Sequence, residues 1–151
     1  MITIRNMVEA DAPLVAMMAE NLVNETGLYG RFSYQRMVNT LLATVYEPDN
    51  YLGLIAMDED EPVGFMGAYI VNHFATDIQI AHDLSLYVRP EFRGRSDAAS
   101  QMIAHYVAWA TAQGADRITL ANGAKVTNSR VYDRLMKRVG FAPVGALYAY
   151  E

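Results

Sequence analysis

The stretch from Leu86 to Ala99 constrains this chain more than any other. Strand-like residues end at Val88, the loop Arg89-Pro90-Glu91-Phe92-Arg93-Gly94-Arg95 follows, and a helix begins within a few positions. The helix follows from its pattern, because Met102, Ile103, Tyr106, Val107 and Ala110 share one apolar face before Gly114 ends it. A compact loop feeding a helix N-terminus faces unpaired backbone amides and the positive end of the helix dipole. The fold must therefore seat a strand in a sheet, lay a helix against it and leave that junction at the end of the strand.

The remaining residues supply the other elements. Ile2, Ile4 and Met7 suggest a first strand, and Leu14, Val15, Met18, Leu22 and Val23 recur at helical spacing over residues 10–24. Ser33 caps a second helix carrying Met37, Leu41, Leu42 and Val45, which Pro48 and Asp49 end. Residues 51–57 and 63–71 read as a hairpin around the acidic turn Asp58-Glu59-Asp60-Glu61-Pro62, and residues 78–88 continue the meander. A fifth strand is expected at 117–121, a short helix from Asn128 or Ser129 to Arg138, and one or two terminal strands within 141–150. The expected fold is α+β: a mixed, mostly antiparallel twisted sheet of six to seven strands with helices on both faces.

Length and charge narrow the function classes. At 151 residues the chain, 1–151, is expected to form one domain with one core. With 12 basic against 17 acidic residues the net charge is -5, which disfavours nucleic acid as a partner and suits an amine. The absence of cysteine removes thiolate chemistry and disulfides. Three histidines without a His-x-x-x-His spacing give no metal site. The start of the chain lacks a basic-then-apolar leader, and no apolar run is long enough to span a bilayer, so the expectation is a cytoplasmic protein without a membrane partner. Met18, Met37 and Met102 fall on apolar helical faces and read as core.

At the junction, Gly94 allows a turn that a side chain would resist, Ser96, Ala98 and Ala99 are small, and Arg93 and Arg95 bring positive charge. Those residues suit a pyrophosphate; they equally suit an exposed loop with two solvated arginines.

The segment Leu86-Tyr87-Val88-Arg89-Pro90-Glu91-Phe92-Arg93-Gly94-Arg95-Ser96-Asp97-Ala98 resembles the strand, loop and helix start of the GNAT superfamily of acyl-CoA-dependent N-acyltransferases. The family's pattern falls here on Arg93, Ser96 and Ala98, with Ser96 where glycine is usual, and Arg138-Val139-Gly140-Phe141 resembles the family's late helix and Gly-Phe strand entry. The resemblance implies acetyl-CoA as cosubstrate. It implies a cradle made by Arg93, Gly94, Arg95, Ser96, Asp97 and Ala98, with the pantetheine arm along Leu86, Tyr87 and Val88 and a contact from Asn128 or, one position on, Ser129. Asn128 could equally be a simple helix cap. The serine hydroxyl at position 96 either adds a hydrogen bond to the phosphates or crowds them.

The same resemblance implies direct attack of a primary amine on the thioester. His82, on the fourth strand where relatives carry Glu or His, is the nominated base, against a plain strand histidine with its ring hydrogen-bonded. Asp83 is an alternative anchor for the amine. Met136 stands where many members place a tyrosine acid; Tyr132, one helical turn earlier, is the substitute nominee. The resemblance places Tyr29, Phe32 and Tyr34 at the acceptor wall, and they equally suit an ordinary helix-packing cluster; Arg130, Arg134, Lys137 and Arg138 either meet phosphates or solvate an outer face. The function expected is N-acetyl transfer to a small-molecule or protein amine; sheet-edge homodimers are common in that family, so a homodimer is admitted. The alternative is a CoA-binding or protein-interaction module that keeps the fold without turnover.

Overall fold

The computed structural model describes residues 1–121 and 129–150. Along the chain run β1 (Ile2–Asn6), α1 (Ala12–Thr26), α2 (Tyr34–Tyr46), β2 (Tyr51–Asp58), β3 (Glu61–Asn72), β4 (Gln79–Val88), α3 (Ala98–Ala112), β5 (Arg117–Ile118) and α4 (Ser129–Arg138). The sheet order is β1-β2-β3-β4-β5, antiparallel through β4 and parallel between β4 and β5. Short connections join β2 to β3 and β3 to β4, α1 and α2 lie between β1 and β2, and the parallel pair needs a crossover, which α3 supplies. The junction identified in the sequence is the start of that crossover.

Alternation along the strands splits the core between two faces. Leu54, Ala56, Val63, Met66, Ala68 and Ala81 pack with Met102, Tyr106 and Ala110 of α3. On the opposite face Ile55, Phe65 and Tyr87 pack with Val15 and Met18 of α1 and Leu41 of α2. Helices thus cover both faces. Ser33 caps α2 by accepting the Arg36 amide at 3.3 Å, and Gly27 closes α1 in the left-handed region at φ 62°. Two polar ties fix α3: the Tyr106 hydroxyl donates to the Thr119 carbonyl at 2.8 Å, and Trp109 Nε1 donates to the Pro48 carbonyl at 3.0 Å.

Among the described residues the sheet has five strands, not six to seven. Residues 141–150 alternate enough to read as strand, but no ladder receives them: they have no assigned structure, and Val144, Leu147, Tyr148 and Tyr150 are exposed. Alternation makes a strand only where a neighbour offers backbone partners, and Pro143 and Gly145 interrupt the pattern besides. β5 is likewise shorter than its apolar run, for a reason that bears on the site.

Asp11 is 4% exposed, and its carboxylate accepts from Arg5 Nη1 and Nη2 at 2.7 and 2.8 Å and from the Val8 amide at 2.8 Å. The Arg5 guanidinium, more than the Val8 amide, holds its pKa below the usual carboxylate range despite burial. A depressed folded pKa gives stability that is present above the ordinary carboxylate value and lost as pH falls through the folded one. Asp11→Asn should cost about 2 kcal/mol at neutral pH, and the difference from wild type should shrink toward low pH in denaturant titrations.

Candidate active site

The site begins where two strands part. β4 and β5 pair only through Ile80 opposite Arg117 and Ala81 opposite Ile118, and the Thr119 amide adds one bond to the Ala81 carbonyl at 3.0 Å. The next link is not backbone to backbone: the Ala121 amide donates to Asp83 Oδ1 at 3.1 Å. A side-chain acceptor reaches farther than a carbonyl, so the strands separate at Asp83, and beyond Ala81 the outer edge of β4 has no partner strand among the described residues.

β4 is also bulged at this point. Gly67 pairs with Ser85 and Ala68 with Asp83, which leaves Leu84 as an extra residue. The bulge reverses the facing of the strand: Ala81 and then Leu86 and Val88 all lie with the α3 cluster. Leu84 lies over Gly67, on the face covered by α1, close enough that a Cβ added there would touch its side chain.

At the far end of β4 the loop turns through Gly94 at φ 73°, a conformation that favours glycine, with open space where a Cβ would be. Ser96 Oγ donates to the Phe92 carbonyl at 3.0 Å and receives the Ala98 amide at 3.5 Å, so the hydroxyl braces the loop from within. The amides of Gly94, Ser96 and Asp97 have no protein acceptor among the described residues. Arg93 does not point free. Its Nε donates to the Val88 carbonyl at 2.6 Å, and Nη1 and Nη2 donate to Glu25 at 2.7 and 2.9 Å.

Between these features runs a groove of about 700 Å³, within the range of small-molecule sites. Asp83, Leu84, Ser85, Leu86 and Val88 form its floor, the loop and the start of α3 one end, α4 a side, and Leu22, Val23 and Tyr29 the α1 side. Of the residues nominated from sequence, Leu86, Val88, Arg93, Gly94, Ser96 and Tyr132 line it, as does Tyr29. Tyr87 is buried on the α1 face with its ring 5.7 Å from Phe65, Ala98 lies in the core beside α3's partners, and Arg95 and Asp97 are exposed on the loop. Asn128 lies outside the described residues. His82 is not among the lining residues: its ring lies 5.4 Å from that of Tyr69, and Nδ1 is 2.9 Å from Thr119 Oγ1.

Sequence patterning had made Asp83 only an alternative, yet it is the carboxylate at the point of divergence. Desolvation raises its pKa, partly offset by the Ala121 amide. Tyr132 faces the same volume, and burial, then the charge of Asp83, pushes its phenol up to about 12. Arg134 and Arg138, placed between two roles by sequence, stand in the groove wall.

The chain matches the profile of the acetyltransferase (GNAT) family over residues 17–141. No curated protein sequence is similar enough to count as a relative. Among solved structures, aminoglycoside acetyltransferase AAC(6')-Iy with a CoA-linked acetylneamine bisubstrate analogue is similar at TM-score 0.79 and 18% identity, covering 100% of this chain and 97% of that one. An acetyltransferase with acetyl-CoA from Clostridium acetobutylicum is similar at 0.77 and 14%, covering 100% and 96%. An aminoglycoside acetyltransferase from an uncultured soil metagenomic sample, in complex with sisomicin, is similar at 0.72 and 14%, covering 99% and 96%. At these identities the likeness is one of fold.

Because folding raises the Asp83 pKa, its ionised form costs stability once pH exceeds the unfolded value. Asp83→Asn keeps an acceptor for the Ala121 amide and removes that cost. The variant should melt at a higher temperature than wild type at neutral pH, and the gain should vanish near about pH 3. A neutral-pH midpoint below wild type would contradict the burial argument.

Proposed function

The chain belongs to the GNAT acetyltransferase family, and from that premise we propose that it transfers the acetyl group of acetyl-CoA to a primary amine by direct attack on the thioester. The observation that carries the reading is the convergence, in one groove, of an unpaired strand edge, a helix N-terminus with unbonded amides, and a carboxylate at the point of divergence.

Acetyl-CoA supplies the activated acyl group; the chain's residues hold and steer it. The Gly94, Ser96 and Asp97 amides with the dipole of α3 suit the pyrophosphate, and Arg134 and Arg138 offer guanidinium groups along the same wall. Ser96 fits this cradle because its hydroxyl is turned to Phe92 and Ala98 within the loop. The pantetheine arm suits the outer edge of β4 as an added strand would. From Val88 back to Leu84 is about 13 Å of strand, which brings the thioester to the bulge and Asp83.

There Asp83 draws in the acceptor ammonium and takes one of its protons; the neutral amine nitrogen forms the bond to the acyl carbon, the carbon–sulfur bond breaks, and the second proton lost from nitrogen goes to the departing thiolate, leaving the amide and the CoA thiol. A raised pKa suits this role, since the carboxylate is a stronger base than an ordinary aspartate. His82 is the second nominee, one residue away with its ring held by Thr119. Tyr132 remains protonated at neutral pH because its pKa is raised to about 12. Since a thiol has a pKa of roughly 8.5, full proton transfer from the phenol is uphill, so Tyr132 serves as a hydrogen-bond donor to the departing sulfur. Leu22, Val23, Tyr29 and Leu84 line the same groove as Asp83, the one carboxylate among the described groove residues. That lining suits a single amine on an apolar or aromatic body better than the polycationic aminoglycosides that name two of the similar structures.

Isothermal titration should give micromolar binding of acetyl-CoA, with desulfo-CoA bound and ATP not; absence of acetyl-CoA binding defeats the reading. In an amine screen phenylethylamine should be acetylated faster than neamine. With the best acceptor, Asp83→Asn should lower kcat/KM by about 100-fold or more and leave acetyl-CoA affinity intact, and Tyr132→Phe should cost roughly tenfold. A larger loss in His82→Ala than in Asp83→Asn would transfer the base role to His82.

A further inference from the structure

Arg93 is the residue that the loop pattern would aim at a phosphate, yet all three of its donor nitrogens are already engaged. Nε holds the last carbonyl of β4, at Val88, and the two terminal nitrogens grip Glu25 as a fork at 2.7 and 2.9 Å. The guanidinium also lies 5.3 Å from the centre of the Tyr87 ring. The partners are only 27% and 30% exposed, so this pair is shielded beyond what a surface ion pair enjoys.

Glu25 is the penultimate residue of α1, followed at once by the Gly27 cap and then by Tyr29, which lines the groove. Gly94 and Ser96, whose amides are unbonded, directly follow Arg93. One bidentate contact therefore joins the end of α1, the end of β4 and the cofactor loop. We propose that Glu25 is a positioning residue for acetyl-CoA binding: acting through Arg93, it holds the loop in its binding shape, and Arg93 is a structural fork instead of a phosphate ligand. The proposal rests on the acetyl-transfer reading above.

Electrostatics alone predicts the opposite sign. Acetyl-CoA is anionic, so removing the Glu25 charge and releasing Arg93 would strengthen binding by Coulomb attraction. If the contact instead preorganises the loop, its loss adds an ordering cost to every binding event and weakens binding.

The test is calorimetric titration of acetyl-CoA into wild type, Glu25→Gln, Arg93→Gln and the double variant, with thermal midpoints measured without ligand. Each single change should raise Kd about tenfold, and the double should be no worse than the worse single, since both remove one contact. Glu25→Asp keeps the charge but shortens the reach, and should weaken binding like Glu25→Gln; it also guards against a variant that fails to fold. Glu25→Gln binding as tightly as wild type or tighter, while Arg93→Gln binds weakly, would overturn the proposal and make Arg93 a phosphate ligand. Additive losses, or wild-type affinity in Glu25→Asp, would overturn it as well. If wild type itself binds no acetyl-CoA, the acetyl-transfer reading falls and the role of Glu25 falls with it.

Discussion

The site depends on a substitution of acceptors. Along a regular pair of strands each amide meets a carbonyl, and the strands stay about 4.8 Å apart. Here the Ala121 amide meets the Asp83 carboxylate instead, so the ladder stops and the two chains diverge. The same carboxylate thereby opens the groove, lines it and is desolvated enough for its pKa to rise. Position, access and basicity come from a single side chain. Backbone polar groups left bare inside a protein are costly unless water or a ligand meets them, so an unpaired edge beside a groove is a place prepared for an extended ligand.

The charged groups around the groove divide into those already satisfied and those held in reserve. Arg93 and Glu25 neutralise each other, and Arg89 pairs with Glu61 and Glu91. The loop amides have no protein acceptor among the described residues, and Arg134 and Arg138 line the groove. Asp83 is the one carboxylate among the described lining residues. On the proposed reading, an anionic cosubstrate and a cationic acceptor would meet groups of opposite charge in one cavity, and the net charge of -5 would assist the acceptor.

Features carried by local pattern were legible in the sequence. The strand, loop and helix around Gly94 announce themselves through residue type and spacing, as do the Ser33 cap and the apolar face of α3. What needed the fold was what depends on partners distant in sequence. The bulge at Leu84 is invisible to alternation because its cause lies across the hairpin at Gly67 and Ala68. Parity counted along the strand before the bulge places His82 and Asp83 correctly on opposite faces, but it cannot say which of them the separation of β5 uncovers. The pairing of Arg93 with Glu25 joins residues 68 apart in the chain, beyond the reach of local pattern. The terminal residues 141–150 alternate in part, but they have no assigned structure, and Pro143 and Gly145 interrupt them.

The bulge also works as a phase slip in the grammar of the strand. Residues ahead of it answer to one alternation and residues behind it to another, so the register of His82 and Asp83 is decoupled from that of Leu86 and Val88. Substitutions ahead of the bulge therefore leave the edge behind it undisturbed. Deleting the one extra residue would instead turn every side chain on one side of it to the wrong face. Change is thus cheap there at the level of substitution, Asp83 apart, and forbidden at the level of length.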